Sequence, residues 1–251
     1  MAPRVYGLAA AVEIAFNMIR LDLKGARVAV QGFGAVGKHA ARFLSQKGCV
    51  LVACSDSSGT VSSPNGLDVS ALISLKSTAK HVTDFACGDK AGTEAIIDVP
   101  CDIWIPAARP DVLNKENAGR LNARIVAQGA NIPCTPEAKA ILESRGILVL
   151  PDLVVNAGGV ICATTEYHGG NEGSAFAAID DKIRTNTMAV IQESRRSGTP
   201  NTRRSDRVGD DQNPQRGTRA QVAIKNASCT TCVRRTWRRG PGKAYPDRKP
   251  S

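Results

Sequence analysis

The chain has 251 residues, of which 42% are hydrophobic, enough to form the core of one large or two smaller α/β domains. Its formal net charge of +10 is concentrated near the carboxyl end: residues 201–251 hold 13 of the 33 Lys and Arg and 4 of the 23 Asp and Glu, a net of +9, which leaves +1 for residues 1–200. A nearly neutral body argues against a protein that binds nucleic acid along its whole length.

The apolar runs and the cysteines indicate the cellular compartment. No run approaches the ~20 apolar residues of a membrane span, and the amino terminus lacks the pattern of a signal peptide. Six of the eight cysteines stand singly in apolar or turn contexts, which favours reduced, buried thiols over a disulfide framework. They are Cys49, Cys54, Cys87, Cys101, Cys134 and Cys162. We therefore expect a cytoplasmic protein without membrane association.

Apolar periodicity divides the first 197 residues into alternating helices and strands. The predicted helices are 5–20, 36–46, 67–76, 136–144 and 174–196. The predicted strands are 26–30, 49–54, 101–106, 123–128 and 146–151, and the polar segment 57–66 is predicted to be a loop. Thr135 and Pro136 form a predicted N-cap and first-turn pair for the fourth helix. This alternation predicts an α/β domain with a doubly wound, mainly parallel sheet and helices on both faces.

Residues 198–251 have a different composition, with little apolar content and much Arg, Pro, Gly, Thr and Ser. We predict a basic, disordered tail that follows a domain of residues 1–197. Its ten arginines, with Trp237 and Tyr245 between them, suggest nucleic-acid binding as an alternative, but a solvated tail without a partner is favoured. Cys229 and Cys232 are too few to form a four-ligand zinc site, and no metal site is predicted elsewhere.

The abrupt change of composition near residue 200 also suggests that the tail is an out-of-frame or recombined end. An amphipathic helix encoded in another reading frame beyond codon 200 would support this hypothesis. Finding no such helix in either of the other two frames would count against it.

The segment "VAVQGFGAVG" places Gly32, Gly34 and Gly37 in the pattern G-x-G-x-x-G between a predicted strand and a predicted helix. In that context the first glycine permits a tight turn, the second lets a pyrophosphate approach the backbone, and the third lets helix and strand pack closely. A second strand ends at Asp56, 19 residues after Gly37, where an acidic side chain would meet the adenosine ribose. The pattern predicts dinucleotide binding, and a purely structural glycine turn is the alternative.

The residues at 56–58 bear on the choice between NAD and NADP. A carboxylate at Asp56 favours NAD, because it repels the 2′-phosphate of NADP. Ser57 and Ser58 weaken this inference, since their hydroxyls can donate hydrogen bonds to a phosphate. No Arg or Lys follows closely in the sequence. The cofactor is thus predicted to be NAD or NADP, with a slight preference for NAD.

Six ordered sequence blocks resemble one known family. They are "LKGARVAVQGFGAVG", "SDSSG", "CDIWIPAA", "IVAQGAN", "PCTPEA" and "PDLVVNAGGVICATTEY". In this order and spacing they resemble the nucleotide-binding domain of the glutamate/leucine/phenylalanine/valine dehydrogenases, and the likeness covers about residues 4–197. The resemblance implies a Rossmann-type fold and the oxidative deamination of an L-amino acid to a 2-oxo acid and ammonia, with hydride transfer to NAD(P)+.

The resemblance also implies a role for individual residues along the cofactor. It places the backbone of Gly32, Phe33, Gly34, Ala35 and Val36 around the pyrophosphate, and Asp56 and Ser57 at the ribose. It places Ala107 and Ala108 along the cleft, Gln128, Gly129 and Asn131 beside the nicotinamide ribose, and Asn156 at the nicotinamide carboxamide. The turns after the strands 101–106 and 123–128 independently fit this arrangement, because open parallel sheets bind ligands at the carboxyl ends of their strands. For Asn156, capping of the following helix is an alternative role that is compatible with the first.

The chain also departs from the family pattern. Members have a separate amino-terminal domain that supplies the substrate-binding lysines, the proton-transferring aspartate and most subunit contacts. This chain begins beside the helix that leads into the nucleotide domain, and "MAPRV" replaces the usual Thr-containing turn there. We expect the catalytic domain to be missing, the L-amino acid or 2-oxo acid to bind only when that domain is supplied, and the oligomeric state to be open.

No catalytic residue is assigned. His39 lies on the helix after the glycine turn, His81 is expected to lead into a short strand, and His168 is expected to be an exposed residue at a helix end. Glu166 is in a similar position. Glutamate-specific members commonly have a serine seven residues after the asparagine of "NAGG"; here that position is Ala163, which makes an aliphatic substrate more credible.

Three functions follow from these patterns, in decreasing order of support. The first is the NAD(P)-binding domain of an amino-acid dehydrogenase that acts on glutamate or a branched-chain amino acid. The second is a dinucleotide-binding fragment without catalytic activity. The third is nucleic-acid binding through the Arg-rich tail, which is disfavoured.

Overall fold

The computed structural model describes residues 2–197 and the side chains of residues 5–193. The predictions for the basic tail, including those for Cys229 and Cys232, lie outside the described residues. The element boundaries below follow the backbone hydrogen bonds of the described part.

A single seven-stranded sheet runs through the described residues in the order β4-β3-β2-β1-β5-β6-β7. Its strands are β1 (Arg27–Gln31), β2 (Val50–Asp56), β3 (Gly59–Ser62), β4 (Asp89–Ala91), β5 (Ile103–Pro106), β6 (Ile125–Ala127) and β7 (Leu148–Leu150). Strands β1, β2, β5, β6 and β7 pair in parallel, whereas β3 and β4 pair antiparallel at one edge. The predicted mainly parallel sheet is confirmed.

Seven α-helices precede, connect or follow the strands among the described residues. They are α1 (Ala2–Met18), α2 (Ala35–Gln46), α3 (Val69–Ser77), α4 (Pro136–Ser144), α5 (Asp152–Val155), α6 (Gly158–Tyr167) and α7 (Glu172–Ser197). Two 3-10 helices, Val82–Asp84 and Thr93–Ile97, lie between β3 and β5. At the start of α4 the Thr135 hydroxyl accepts the Ala138 amide at 3.2 Å, so the predicted N-cap is confirmed.

Side chains that alternate along the strands form two cores, one on each face of the sheet. Val28 and Val30 of β1 belong to the core beneath α1, α2 and α7. Ala29 belongs to the opposite core, with Trp104 of β5 and residues of α4. Trp104 is fully buried, and its indole N–H donates to the Ile96 carbonyl at 3.2 Å. Helices therefore cover both faces, as predicted.

The segment predicted as the loop 57–66 contains a strand. After Asp56 the chain turns through Ser57 and Ser58 and returns as β3, antiparallel to β2, with Asp56 paired to Gly59. The run is short, and only its Val61 is a large buried apolar side chain, so periodicity gave no strand signal. The prediction for His81 was also wrong, because His81 precedes the 3-10 helix Val82–Asp84 and not a strand.

A cluster of charged side chains joins α1 to α7 and α2. Glu13 of α1 accepts hydrogen bonds from Lys47 at 3.0 Å and from Arg184. Arg184 also donates to Asp180 at 2.7 Å, and the Tyr6 hydroxyl donates to Asp180 at 3.0 Å. Burial alone would raise the pKa of Glu13, but these hydrogen bonds hold it below its usual value. We call these five residues the α1–α7 cluster.

The described cysteines are free thiols. Cys49, Cys54 and Cys134 are buried, as predicted, whereas Cys87 is exposed. Burial raises the pKa of the Cys49 and Cys134 thiols to about 12, which keeps them protonated at neutral pH. Within residues 2–197, no helix is both long and apolar enough to cross a membrane.

The order of the strands creates a switch point beside β1. The connection through α2 leads to β2 on one side of β1, and the later chain reaches β5 on the other side. A crevice therefore opens outside the carboxyl ends of β1 and β5, which is where sheets of this topology bind ligands.

Candidate functional site

The turn after β1 is closely packed against the turn after β5. Gly32 has a positive φ of +94°, and a Cβ at this position would lie 2.7 Å from the Cβ of Ala108. A side chain here would be strained by the backbone conformation and would also overlap its neighbour. Gly32 thus permits the tight turn that its place in the motif predicts.

Gly37 brings α2 close to β1. A Cβ on Gly37 would overlap the Gly32 carbonyl oxygen and would lie 2.8 Å from Cγ1 of Val30. The first turn of the helix can therefore rest on the strand only if residue 37 has no side chain. This is the packing role predicted for the third glycine of the motif.

Gly34 differs from both neighbours in the motif, because a Cβ here would meet no atom within 4 Å. Gly34 is the N-cap of α2, no side chain caps this end, and no acidic residue lies in the first turn. The amides at a helix start have no acceptor within the helix, and the helix dipole adds partial positive charge there. The open space in front of Gly34 thus fits an anionic group such as a pyrophosphate.

Not every residue in the predicted pyrophosphate segment has a free amide. The amides of Gly32 and Phe33 both donate to the Ser55 carbonyl, at 3.0 and 2.7 Å, and the Phe33 side chain is fully buried. These two residues therefore fix the turn against β2. The amides that begin α2, at Gly34, Ala35 and Val36, remain as the donors that suit an anion.

The other predicted residues follow the neighbouring strands. The Ala107 amide donates to the Gln31 carbonyl at 2.7 Å, which holds the end of β5 beside the glycine turn. After the neighbouring strand β6, the Ala130 amide donates to the Pro106 carbonyl at the end of β5, at 2.8 Å. The structure therefore brings the predicted segments after β1, β5 and β6 together at one edge of the sheet.

Gln128 is buried at the end of β6, and neither atom of its side-chain amide has a hydrogen-bond partner among the described residues. An unpaired buried polar group costs about 1–3 kcal/mol, so these atoms favour a polar ligand or water. A Cβ on the adjacent Gly129 would lie 3.2 Å from Cδ1 of Leu8, so this residue packs against α1. Asn131 is exposed at the same edge.

Asn156 ends α5, and its side-chain amide donates to the Ala130 carbonyl at 3.4 Å. Ala157, and not Asn156, occupies the N-cap position of α6. The alternative prediction that Asn156 caps this helix was therefore wrong. Ile132, which sequence reasoning did not single out, lies nearby with 62% of its surface exposed and a φ of +47°. A β-branched residue in this region is strained, and such strain is commonly found at functional sites.

Asp56 occupies the carboxyl end of β2 and is heavily hydrogen-bonded. Its Oδ1 accepts from the Ser58 amide at 2.9 Å and the Ser58 hydroxyl at 2.7 Å. Its Oδ2 accepts from Lys76 Nζ at 2.7 Å and the Val82 amide at 3.0 Å. Burial alone would raise the pKa of Asp56, but these four donors hold it far below its usual value.

Lys76 and His81 are part of this corner, although sequence reasoning did not predict them there. Lys76 lies in the last turn of α3, and His81 Nδ1 lies 3.6 Å from Asp56 Oδ2. The only sequence signal for Lys76 is a basic residue at the end of a predicted helix. We call Asp56, Ser57, Ser58, Lys76 and His81 the Asp56 corner.

Two titratable side chains lie near the end of α6, after Asn156 in the sequence. His168 is exposed at the end of α6, as predicted, with Nδ1 2.7 Å from the Thr164 carbonyl. Glu166 is also exposed and accepts from the Cys162 thiol at 3.5 Å. Among residues 2–197, no three His, Cys, Asp or Glu side chains are grouped as metal ligands.

Comparison with known proteins identifies related sequences. The chain is 39% identical over 192 residues to a glutamate dehydrogenase of Aeropyrum pernix, a match that covers 74% of this chain and 46% of the relative. An NADP-specific glutamate dehydrogenase of Saccharolobus shibatae is 37% identical, with 68% of this chain and 40% of the relative covered. An NAD-specific glutamate dehydrogenase of Staphylococcus aureus is 35% identical, with 74% and 45% covered.

A solved structure has the same fold. The hetero-hexameric glutamate dehydrogenase of Thermus thermophilus, in its leucine-bound form, superposes with a TM-score of 0.72 and 27% sequence identity. The match covers 80% of this chain and 49% of that one. This chain thus spans less than half the length of each of these four relatives.

The family model described as "Glutamate/Leucine/Phenylalanine/Valine dehydrogenase" matches residues 5–205. The match extends over most of the chain and includes the glycine turn, the Asp56 corner and the segments after β5 and β6. This chain therefore belongs to the glutamate/leucine/phenylalanine/valine dehydrogenase family.

Proposed function

We propose that residues 2–197 bind a nicotinamide dinucleotide as one half of an L-amino-acid dehydrogenase active site. The observation that carries this proposal is the start of α2, where uncapped amides face open space at Gly34 beside the switch point of the sheet. An anionic diphosphate suits this space, because amide donors and the helix dipole both favour negative charge.

The rest of the cofactor follows the carboxyl edge of the sheet. In this proposal Ala107 and Ala108 line the cleft, while Gln128, Gly129 and Asn131 lie beside the nicotinamide ribose. The unpaired amide of Gln128 supports this placement, because ribose hydroxyls can both donate to it and accept from it. Asn156, fixed by its contact with Ala130, would hold the nicotinamide carboxamide. The adenosine ribose would lie at Asp56 and Ser57.

The proposed reaction is the oxidative deamination of an L-amino acid to a 2-oxo acid and ammonia. When bound, NAD(P)+ would accept the hydride from the amino-acid Cα. The similarity to glutamate dehydrogenases supports glutamate as the substrate, whereas Ala163 in α6 supports an aliphatic, branched-chain amino acid. We assign the acid/base group to no residue among 2–197 and expect another polypeptide segment to supply it.

Thermal unfolding with and without cofactor tests the proposal. A ligand that binds only the native state at 100 times its Kd stabilises it by about 2.7 kcal/mol, so NAD+ or NADP+ should raise the Tm measurably. If neither dinucleotide changes the Tm at millimolar concentration, the proposed binding site is wrong.

An absorbance assay then separates the enzyme from a binding fragment. Accumulation of reduced nicotinamide, when glutamate or a branched-chain amino acid is added together with the stabilising dinucleotide, would show that this chain also holds the acid/base group, contrary to the assignment above. Binding without turnover would contradict catalysis by this chain alone and support the second function, a non-catalytic dinucleotide-binding fragment.

A further inference from the structure

We propose that Lys76 adapts the adenosine end of the crevice to a 2′-phosphate, so that this chain binds NADP at least as tightly as NAD. The inference rests on the proposed dinucleotide site and concerns its specificity. It reverses the slight preference for NAD, which assumed that Asp56 is a carboxylate without a cationic partner.

Asp56 has little hydrogen-bonding capacity left for a ligand. A carboxylate offers about four lone-pair positions, and the protein fills two on each oxygen. The donors are the amide and hydroxyl of Ser58 on Oδ1, and Lys76 with the Val82 amide on Oδ2. To bind the two ribose hydroxyls of NAD, Asp56 would have to release one or two of these donors. The loss of these hydrogen bonds would therefore offset most of the binding free energy that a ribose–carboxylate contact usually contributes.

The negative charge of Asp56 is paired with the positive charge of Lys76. A carboxylate discriminates against NADP because it repels the 2′-phosphate. Here the Lys76 ammonium lies 2.7 Å from the carboxylate, and both side chains are largely buried, with 20% and 10% of their surfaces exposed. The pair is thus less screened by solvent than a surface pair, and the ammonium cancels most of the repulsion that Asp56 would exert.

Several hydrogen-bond donors lie at this end of the crevice, where a 2′-phosphate would bind. Ser57 and Ser58 are exposed at the tip of the β2–β3 turn, and the His81 side chain is 53% exposed beside them. The Ser58 hydroxyl also lies 2.8 Å from the Thr83 hydroxyl. The Ser58 hydroxyl donates its one proton to Asp56, so the donors that a phosphate would use are the Ser57 hydroxyl and the ammonium protons of Lys76 that do not bind Asp56.

One other carboxylate lies on the segment that carries His81. Asp84 is exposed, and its Oδ2 accepts the amide of His81 at 2.8 Å, within its own 3-10 turn. Asp84 therefore has a local hydrogen-bonding role, whereas Lys76 directly faces the end of β2, where the ribose is expected.

Two small probes isolate this end of the cofactor. 5′-AMP and 2′,5′-ADP differ only in the 2′-phosphate, so calorimetric titration of the full chain with each measures what that group contributes. We expect 2′,5′-ADP to bind at least as tightly as 5′-AMP. Lys76→Met should weaken 2′,5′-ADP about tenfold or more relative to 5′-AMP, because it removes a charge-assisted contact and leaves Asp56 uncompensated. Lys76→Arg should retain the wild-type ratio.

Lys24→Met is the matched control. Lys24 is exposed just before β1, at the amino edge of the sheet opposite the crevice, so both affinities should stay within about twofold of wild type. If Lys76→Met does not fold, Asp56→Asn provides the test. That variant keeps Lys76 but removes the negative charge, so the affinity for 2′,5′-ADP should rise relative to the affinity for 5′-AMP.

The outcomes separate this inference from the proposed function. Rejection of 2′,5′-ADP by the wild-type chain, or an equal loss of both probes in Lys76→Met, would overturn the role of Lys76. Titration with whole NAD+ and NADP+ completes the comparison: binding of NAD+ with exclusion of NADP+ overturns only the specificity. Absence of binding by either dinucleotide overturns the dinucleotide site itself.

Discussion

The two ends of the proposed cofactor crevice are built from different parts of the chain. The glycine turn is made of main-chain atoms within residues 32–37, and its centre at Gly34 is open. The Asp56 corner is made of side chains brought together from β2, α3 and the following turn, and its carboxylate is already fully hydrogen-bonded. One end is therefore a backbone site with free donors, and the other is a side-chain network.

This difference separates binding from specificity. Amides at a helix start attract any diphosphate, because they interact with its charge and not with the rest of the molecule. Discrimination between NAD and NADP depends on one additional phosphate, and so on the balance of charge between Asp56 and Lys76. Substitutions in the two regions should therefore differ in their effects on the free energy of unfolding and on the affinity for each dinucleotide.

Gly37→Ala should have the largest effect. Alanine is about 1 kcal/mol better than glycine within a helix, but its Cβ would overlap the Gly32 carbonyl oxygen, so α2 must move away from β1. We expect a net loss of about 2–3 kcal/mol in the free energy of unfolding, measured by urea denaturation. The displaced turn should also fail to bind either dinucleotide.

Gly119→Ala provides the control for this substitution. Gly119 is exposed, and a Cβ there would meet no atom within 4 Å, so the change should stay within about 0.5 kcal/mol. Equal stability of the two variants would contradict the packing role of Gly37.

Asp56→Asn should have the next largest effect, about 2 kcal/mol at pH 7, because it breaks a largely buried ion pair with Lys76. The folded-state pKa of Asp56 lies below the unfolded value of about 3.9, so its stabilisation is complete above about pH 5, decreases progressively below that pH and is fully lost once the pH has fallen through the folded value. Urea denaturation between pH 6 and pH 3 should therefore show a smaller loss for the variant than for wild type. If the free energy of unfolding depended on pH in the same way in both proteins, the Asp56–Lys76 pair would not be a source of stability.

Glu13→Gln tests whether charge pairs remote from the crevice behave differently. Glu13 is 29% exposed and bridges Lys47 and Arg184 in the α1–α7 cluster, so we expect a loss of about 1 kcal/mol. Because the cluster joins helices and lies outside the crevice, affinities for NAD+ and NADP+ should match wild type within about twofold. A shift in the ratio of the two affinities would show that specificity does not reside in the Asp56 corner alone.

The sequence predicted the features that depend on local order. The glycine turn, the strand before it and the Thr135 cap of α4 all follow from residues only a few positions apart. The carboxyl edge that gathers Ala107 and Gln128 was also predicted, because parallel strands end on the same side of a sheet. Asn156 was placed there only by the family resemblance.

Lys76 and His81 were not predicted to lie beside Asp56, for a reason of chain direction. With 57–66 taken as a loop, α3 would start at the carboxyl edge and end with Lys76 at the amino edge. The antiparallel strand β3 reverses this path, so α3 starts at the amino edge and Lys76 reaches Asp56. The unpaired amide of Gln128 and the positive φ of Ile132 also depend on tertiary packing, which no local pattern reports.

The variant Gly34→Ala tests the dinucleotide site most directly, because its Cβ enters open space and should change stability by less than about 1 kcal/mol. That Cβ would occupy the space in front of the α2 amides, so NAD+ and NADP+ should each bind at least about tenfold more weakly by calorimetric titration. Gly119→Ala should bind both as wild type does. Unchanged affinities in a folded Gly34→Ala protein would contradict the placement of a diphosphate at the start of α2.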